Sequence, residues 1–420
     1  MKKVVGLLLI TFLLFPFIII AQGTVIPMLG FNPDPKSFGM GMSGVSMPSN
    51  DPLGFYYNPA LLGYSAQTNN LSFQFYPGQI KWFGSDYYTS DITGLTAGYN
   101  FSKLLNGLNL SAGVGFISSR FNLERLVALS GSNDIDVFNP EDKYNAIGIG
   151  VSLDYFVNFS LGLTIKNIDS QIPASYPLAG GHYEAKLNAL DWGILLNVPA
   201  SKLAFEDFVY RPLENVALKP VVNLSLGYSR SNIGNEVNYG IYSEPLPLTA
   251  RLGYTLSLGT DLLINNHSIN FITYDITAEA EDILVSRDIS GRPVYQGLLG
   301  DIKFWDNLID LKRTNNVTLR KAQKLSLFET LSFLYGTYYT PNDYEYSDRT
   351  YGFILSTNGL FKLLSWNFSD NPYIKFFLNH FEINYVNATL ISKYSILTGF
   401  NFQNQTDIKA ISVSFNRFTF

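Results

Sequence analysis

Apolar residues alternate with small or polar ones along short stretches of the chain, most regularly between residues 145 and 155. There Ile147, Ile149 and Val151 share one face of a strand, and glycine, alanine and serine occupy the other. A strand of a soluble sheet also alternates, but it turns a charged face to water. A second face that is small and polar is typical of a transmembrane barrel with lipid outside and a polar lumen inside.

Similar segments recur along the chain and predict an all-β fold, a transmembrane antiparallel β-barrel of about 14 strands. The segments are long enough for a tilted strand to cross a bilayer. Because single-chain bacterial barrels have even strand numbers, one of the fifteen candidates must be false. Either 69–76 or a segment within 374–403 is expected to be that one. The candidates are 69–76, 92–101, 108–118, 145–156, 158–168, 187–198, 220–230, 247–258, 267–277, 299–312, 323–338, 348–359, 374–388, 393–403 and 408–420.

The connections between candidate strands alternate between long polar loops and short turns, which predicts external loops at one end and periplasmic turns at the other. The segment 199–219 is the exception, because it is long but falls on the turn side. The acidic residues Glu279, Glu281 and Asp282 are expected in a solvated external loop, with Ca²⁺ binding as the less favoured alternative. The basic residues are expected in a solvated turn; they are Lys312, Arg313, Arg320, Lys321 and Lys324.

The first apolar run predicts export from the cytoplasm. Lys2 and Lys3 precede it, and a cleavage site follows at Ala21, so residues 1–21 are predicted to be a signal peptide, with an uncleaved anchor helix as the alternative. The remaining chain divides into a plug segment at 22–67 and a barrel at 68–420. Charged residues make up only 15% of the chain, against about 25% in soluble proteins. These features together predict the bacterial outer membrane, with its lipid as a partner.

Composition also narrows the chemistry. The chain has no cysteine, which excludes disulfides and thiolate metal sites. Its net charge of −5 and the absence of a sustained basic patch argue against nucleic acid as a partner. The three histidines lie far apart, and neither a serine-hydrolase nor a phosphate-loop motif is present. We therefore expect no enzyme activity, no cofactor and no metal.

Particular residues have predicted roles in the barrel. Phe418 and Phe420 end an amphipathic last segment, as expected of a signal for the outer-membrane insertion machinery. Asp191 and Arg251 are expected to face the lumen and to pair with plug or wall groups, because a charge facing lipid at the midplane costs roughly 2–4 kcal/mol.

A motif near the start of the mature chain carries a family resemblance. Small residues at 39–44 precede an Asp-Pro pair and the sequence Tyr-Asn-Pro-Ala at 57–60. Glycines permit close backbone packing, and Asn-Pro favours a turn. This order resembles the N-terminal plug of the FadL-like outer-membrane barrels, so the segment is expected either to gate the barrel or only to brace it. The matching plug residues are Gly39, Gly41, Gly44, Asp51, Asn58, Pro59 and Ala60.

Two later segments, 189–196 and 245–254, resemble strands of the PorV/PorQ branch of that superfamily. The resemblance implies an accessory role in type IX protein secretion or surface attachment, with secretion components or secreted cargo as partners. The alternative is passive transport of hydrophobic small molecules across the outer membrane, as the FadL-like resemblance implies. A purely structural barrel is the third possibility.

Overall fold

The strands of the protein close into one antiparallel β-barrel. The computed structural model describes residues 26–417 except 32, 69, 87, 106–107, 123–125, 131–133, 139, 174–181, 205–207, 241–242, 265–266, 342–347, 368–370 and 393–403. Within these residues fourteen strands form the barrel. They are β1 (Asn70–Phe75), β2 (Thr89–Asn100), β3 (Asn109–Asn122), β4 (Glu141–Asp154), β5 (Asn158–Pro173), β6 (His182–Val198), β7 (Val216–Gly234), β8 (Thr249–Ile264), β9 (His267–Ile283), β10 (Val317–Leu327), β11 (Leu331–Tyr339), β12 (Asp348–Ser356), β13 (Phe381–Ser392) and β14 (Asn404–Asn416).

Closure depends on the shortest of these strands. β1 pairs with β2 on one side and with β14 on the other, so that Leu71 lies opposite both Ala97 and Phe415. Every other barrel strand pairs with its neighbours in sequence. A closed barrel leaves no unpaired sheet edge, which is the condition for a sheet to cross a bilayer. The all-β barrel and its predicted strand number are confirmed.

The outer face of the barrel is apolar and the alternate residues are buried. On β4, Ile147 and Ile149 are 58% and 57% exposed, whereas Ala146 on the opposite face of the same strand is 1% exposed. The same outward exposure recurs on β5 at Leu163 and Ile165. An apolar belt of this kind lies against lipid in outer-membrane barrels, as predicted.

The structure differs from the prediction for several individual strands. Segment 69–76, one of the two regions suspected of holding the false candidate, contains β1 and is therefore a true strand. Segment 299–312 is no strand and holds a π-helical turn at Phe304–Ile309. Segment 323–338 spans two strands, because Phe328 and Glu329 both take left-handed φ values of 52° and 53° in the turn between β10 and β11. Such turns usually contain Asn-Gly or Asp-Gly, so the sequence lacked their signal.

Helices replace part of another predicted strand. α4 (Thr357–Asn367) and α5 (Pro372–His380) connect β12 to β13, although 374–388 was expected to be entirely strand. The Asn371 carboxamide oxygen accepts hydrogen bonds from the N–H groups of Tyr373 and Ile374, both at 3.1 Å, and Pro372 occupies the first helical turn. Asn followed by Pro is a strong helix start, which explains the difference.

Most connections follow the predicted alternation of short and long. At the turn end, 155–157 and 328–330 are short, whereas 199–215 holds α3 (Ala200–Ala204) and a short strand at Tyr210–Leu213 that pairs with β7. At the loop end, residues 284–316 fold back over the outside of β8–β10. There Leu308 and Ile302 bury Ala278 and Ala280. The other short strands are Ile80–Lys81, Leu126–Ser130, Asp134–Phe138, Val237–Asn238, Ser243–Glu244, Val285–Arg287 and Pro293–Tyr295.

Residues 26–68, called here the N-terminal segment, consist of short helical turns. Its two α-helical turns are α1 (Pro35–Gly39) and α2 (Leu61–Ser65). Among the described residues the 3₁₀ turns are Pro27–Gly30, Gly54–Tyr56, Ala66–Thr68 and Trp82–Gly84. Among the described residues, no helix is long and apolar enough to span a membrane. The predicted signal peptide, the segment 393–403 and the predicted assembly signal at Phe418 and Phe420 lie outside the described residues.

Candidate functional site

The N-terminal segment lies inside the ring of strands. α1 contacts β11, β12 and β13, whereas α2 contacts β2 to β5, nearly opposite on the barrel. The segment is buried over most of its length, with Phe38 and Leu53 both 0% exposed. Its position explains why the inward faces of the strands are small: they face polypeptide rather than open water.

Glycines on the inward face of the wall allow the backbone of the segment to approach. A Cβ atom on Gly162 would lie 2.2 Å from the carbonyl of Pro59, and one on Gly113 would lie 2.2 Å from the Leu62 oxygen. Both contacts are with backbone, which cannot rotate away. The small residues on the inward face of the strands, from which a polar lumen was predicted, therefore also permit this close packing.

The predicted glycine motif contacts the opposite side of the barrel. A Cβ on Gly39 would lie 3.3 Å from that of Ala388. Gly41 has a φ of +64° and its N–H donates to the Thr350 hydroxyl at 2.7 Å. A side chain at Gly41 would be strained and would meet the Thr337 backbone at 3.0 Å, so this position requires glycine.

The Asn-Pro-Ala motif joins two parts of the segment to the wall. The Asn58 amide donates to the Val45 carbonyl at 2.7 Å and to the Ile194 carbonyl of β6 at 2.9 Å. Its oxygen accepts from the Ala60 N–H at 3.1 Å, which forms the turn around Pro59. Asn58 is 0% exposed, so these bonds satisfy an amide that would otherwise be buried at a cost of about 1–3 kcal/mol.

A buried carboxylate holds the middle of the segment against β9. Glu279 Oε2 accepts from the N–H groups of Gly44 and Val45 at 2.7 and 2.9 Å. Its other oxygen lies 3.9 Å from Arg251 and from Arg320. Glu279 is completely buried, and hydrogen bonds to an ionised carboxylate are stronger than neutral ones. We call this contact the Glu279 clasp.

The clasp belongs to a cluster of two arginines and two glutamates. Glu281 forms a salt bridge with Arg251 and lies 3.0 Å from Arg320. The guanidinium of Arg251 also lies 5.0 Å from the ring centre of Tyr57 in the N-terminal segment. Arg251 therefore faces the lumen side of β8 and contacts both a wall group and the segment.

The structure corrects the sequence expectation for these charges. Glu279 and Glu281 lie within β9 rather than in an external loop, because that strand continues to Ile283. Asp282 is buried too, and accepts from the Asp301 N–H at 2.6 Å. Arg320 lies in β10 instead of a solvated turn. The alternation of residues within an extended strand was the signal that could have placed Glu279, Glu281 and Arg320 inward, whereas Asp282 lies on the opposite face of β9.

Asp191 is the centre of a second buried charge site. Its carboxylate lies 2.7 Å from the Lys166 amine on β5 and accepts from the Asn232 N–H on β7, also at 2.7 Å. Asn232 occupies a bulge between β6 and β7 with a φ of 63°. Side chains thus replace backbone pairing at this point of the wall. Lys166 also lies 5.1 Å from the ring centre of Tyr56.

Asp51, the remaining residue of the predicted motif, pairs within the segment itself. Its carboxylate lies 3.3 Å from the Lys36 amine, and the Ser49 hydroxyl donates to it at 2.6 Å. Burial raises the pKa of Asp51, but Lys36 and the Ser49 hydrogen bond outweigh it and lower the pKa overall. Burial, and then the charge on Asp51, raise the pKa of nearby Asp34 to about 6.

The loop-side half of the lumen is apolar and aromatic. The ring of Phe31 lies 4.4 Å from Trp82 and 4.9 Å from Phe121 on β3, measured between centroids. The Tyr56 hydroxyl donates to the Leu29 carbonyl at 2.6 Å, which adds a polar contact to the packing of this turn. We call this the aromatic compartment. Its other buried members include Ile26, Met28, Leu29, Phe38, Phe55, Ile80, Ile92, Tyr144 and Ile168.

The turn-side half of the lumen is polar and contains open space. Two adjoining chambers of about 270 and 350 Å³ share Lys36, Tyr64, Lys324 and Glu329 in their linings. Lys324 lies 2.6 Å from Asp275 on β9. The N-terminal segment therefore separates an aromatic compartment from a polar one.

These features define a class of protein. A closed barrel with an apolar outer belt and an inward-folded N-terminal segment is a bacterial outer-membrane β-barrel protein whose lumen is occupied by its own chain.

Comparison with solved structures finds similarity to outer-membrane transport proteins, at low identity and low TM-score. The Pseudomonas putida toluene transporter TodX is 13% identical, with 91% of this chain and 97% of that chain covered and a TM-score of 0.37. The monoaromatic hydrocarbon channel CymD is 10% identical, with 91% of this chain and 97% of that chain covered and a TM-score of 0.41. A Pseudomonas aeruginosa FadL homologue is 9% identical, with 92% of this chain and 98% of that chain covered and a TM-score of 0.33. No protein-family model matches the sequence, and no curated protein matches it.

Proposed function

We propose that the protein passes hydrophobic small molecules across the outer membrane. The observation that carries this proposal is the aromatic compartment on the loop side of the lumen. A water-filled porin has a polar interior. Phe31, Trp82 and Phe121 instead form a surface that favours apolar solutes, because burying their apolar area contributes about 25 cal/mol per Å².

The N-terminal segment is the proposed gate of this pathway, acting as a plug. Its first described turn, around Leu29 and Phe31, occupies the compartment with apolar side chains that a hydrophobic solute can replace. The stronger polar contacts lie deeper, at the Glu279 clasp and at Asn58. We therefore expect the outer turn of the segment to yield before its middle part.

Binding is tested with the fluorescence of Trp82. The chain has four tryptophans, and replacing Trp192, Trp305 and Trp366 with phenylalanine leaves Trp82 as the single emitter. Titration with a monoaromatic hydrocarbon or a long-chain fatty acid should change its emission saturably, whereas a sugar should not. An unchanged emission with every hydrophobic probe would contradict the proposal.

Gating is tested with a reversible crosslink. Because the native chain has no cysteine, the double variant Gly39→Cys/Ala388→Cys introduces one possible disulfide, between positions whose Cβ atoms would lie 3.3 Å apart. Oxidation should stop uptake of the hydrophobic probe by cells, and reduction should restore it. Either single-cysteine variant is the matched control. Equal uptake in both redox states would show that this part of the segment need not move.

This proposal is the alternative function expected from the sequence. The accessory role in type IX secretion, with secretion components or cargo as partners, stays a prediction from the PorV/PorQ resemblance. A crosslinking experiment in the native membrane separates the two roles: a barrel carrying a hydrophobe supports transport, and capture of secretion components supports the accessory role.

A further inference from the structure

The helical connection between β12 and β13 exposes a dense set of apolar side chains at the turn-side rim. On α5, Tyr373 is 86% exposed and Phe376 is 52% exposed. On α4, Leu360 and Leu363 are 49% and 37% exposed. An apolar surface of this kind is unfavourable in water and marks a site of interaction.

α5 lies on the lipid-facing side of the barrel wall. Phe377 stacks on Phe381 of β13 at 4.5 Å, and Phe376 lies 6.0 Å from Phe415 of β14. Phe415 points outward, because its strand neighbour Ser414 is buried on the inward face. The helix is therefore packed against the outside of the barrel, at the end where the strands leave the membrane.

α4 continues from this position across the rim. Phe361 lies 5.9 Å from Phe377, which joins the two helices. The Lys362 amine pairs with Glu329 in the turn between β10 and β11, and Trp366 stacks on His267 at 4.9 Å. These contacts attach the hairpin to the rim while Leu360 and Leu363 remain exposed.

We infer that the α4–α5 hairpin is an interfacial anchor that lies in the periplasm-facing leaflet of the outer membrane, among phospholipid headgroups and the first acyl carbons. The argument for lipid as the occupant is continuity. Leu355 of β12 and Ile383 of β13 are exposed on the lipid-facing belt, and each lies within three residues of a helix end. The apolar surface of the hairpin therefore extends the surface that already faces lipid.

The polar residues of the hairpin fit the same position. Lys375 is exposed on α5, and a lysine can extend its amine to lipid phosphate while its stem stays in apolar surroundings. Helices that lie in a membrane interface bury their apolar face about 5–10 Å below the headgroup boundary and carry lysine at the polar edge. A soluble partner protein is the competing occupant.

The depth of the hairpin in a bilayer tests this inference. We would place a single cysteine at Ile374, label it with a polarity-sensitive fluorophore, and reconstitute the purified full-length barrel into phosphatidylethanolamine and phosphatidylglycerol vesicles. Lipids brominated at defined acyl carbons report depth by quenching. Ile149→Cys on the lipid-facing side of β4 is the mid-membrane control, and Ile289→Cys at an external loop tip, 106% exposed, is the aqueous control.

The expected result is strong quenching at position 374 by bromine near the headgroup end of the chain, and weaker quenching by bromine near the chain terminus. Position 149 should show the reverse order, and position 289 should respond only to aqueous iodide. Quenching of position 374 by iodide alone would overturn the inference, as would protection from both lipid and aqueous quenchers, which indicates cover by protein. Leu363→Cys on α4 repeats the measurement if the first variant does not fold.

Discussion

The Glu279 clasp makes a prediction about how firmly the N-terminal segment is held. In Glu279→Gln the carboxamide oxygen can still accept from Gly44 and Val45, but without the negative charge. A hydrogen bond to a charged group contributes about 1.5–3 kcal/mol, against about 0.5–1.5 kcal/mol for a neutral one. Because both N–H bonds weaken together, the docked segment should lose about 2 kcal/mol.

Glu281→Gln is the matched control for this change. It removes the same charge from the same arginine cluster, and the hydrogen bonds described for Glu281 are with Arg251 and Arg320, not with the segment. Both variants therefore leave two buried arginines with one carboxylate, a change that is destabilising in itself. The difference between the two variants isolates the contact of Glu279 with the segment.

Hydrogen exchange measures that difference. A loss of about 2 kcal/mol corresponds to roughly 30-fold faster exchange of the Gly44 and Val45 amides, since every 1.4 kcal/mol is a factor of ten. The increase should exceed that in Glu281→Gln, and the barrel should keep its heat-modifiable mobility on gels. Equal exchange in the two glutamine variants would refute the reasoning, because the clasp would then contribute nothing beyond the charge cluster.

Three further predictions concern the same segment. Deleting residues 39–62 should leave a barrel that inserts and keeps its heat-modifiable band, because the strands alone satisfy the bilayer. The deletion should abolish gated uptake of the hydrophobic probe, and loss of the band would instead make the segment structural. Gly162→Val should displace the segment from Pro59 and expose it to protease, whereas Gly78→Val, with nothing within 4 Å, should not. Burial raises the pKa of Asp34 to about 6, so docking of the segment is coupled to protonation of this carboxyl group. The stabilisation of the docked segment by protonated Asp34 is therefore present below about pH 4 and is lost as the pH rises through 6, by about 3 kcal/mol. Protection of the segment amides from hydrogen exchange, relative to their intrinsic exchange rates, should fall as the pH rises through that window. In the control variant Asp34→Asn this protection should not change with pH. The same fall in the variant would assign the effect to another group.

Some features of the candidate site could be predicted from the sequence. The motif around Asn58 marked the segment that lies within the lumen, since glycine runs and Asn-Pro turns are local signals. Its contacts could not be predicted. Gly44 meets Glu279 across 235 residues of chain, and nothing local in either sequence specifies that partner.

The sequence by itself determined the face of most strand residues. Alternation with a period of two separates Ile147 and Ile149 from Gly148, and that is sufficient to define a membrane barrel with one apolar side. It is also sufficient to place a charge such as Arg251 away from lipid, because the energetic cost of the other face is large.

Tertiary structure decided what the inward face meets. The small residues of β3 to β6 suit either water or a packed segment, and only the folded chain shows that Pro59 and Leu62 lie against them. It also decided the turn at Phe328, where the local sequence lacks the usual turn residues. Parity specifies direction but not partner, so the contents of the lumen depend on contacts between residues far apart in the chain.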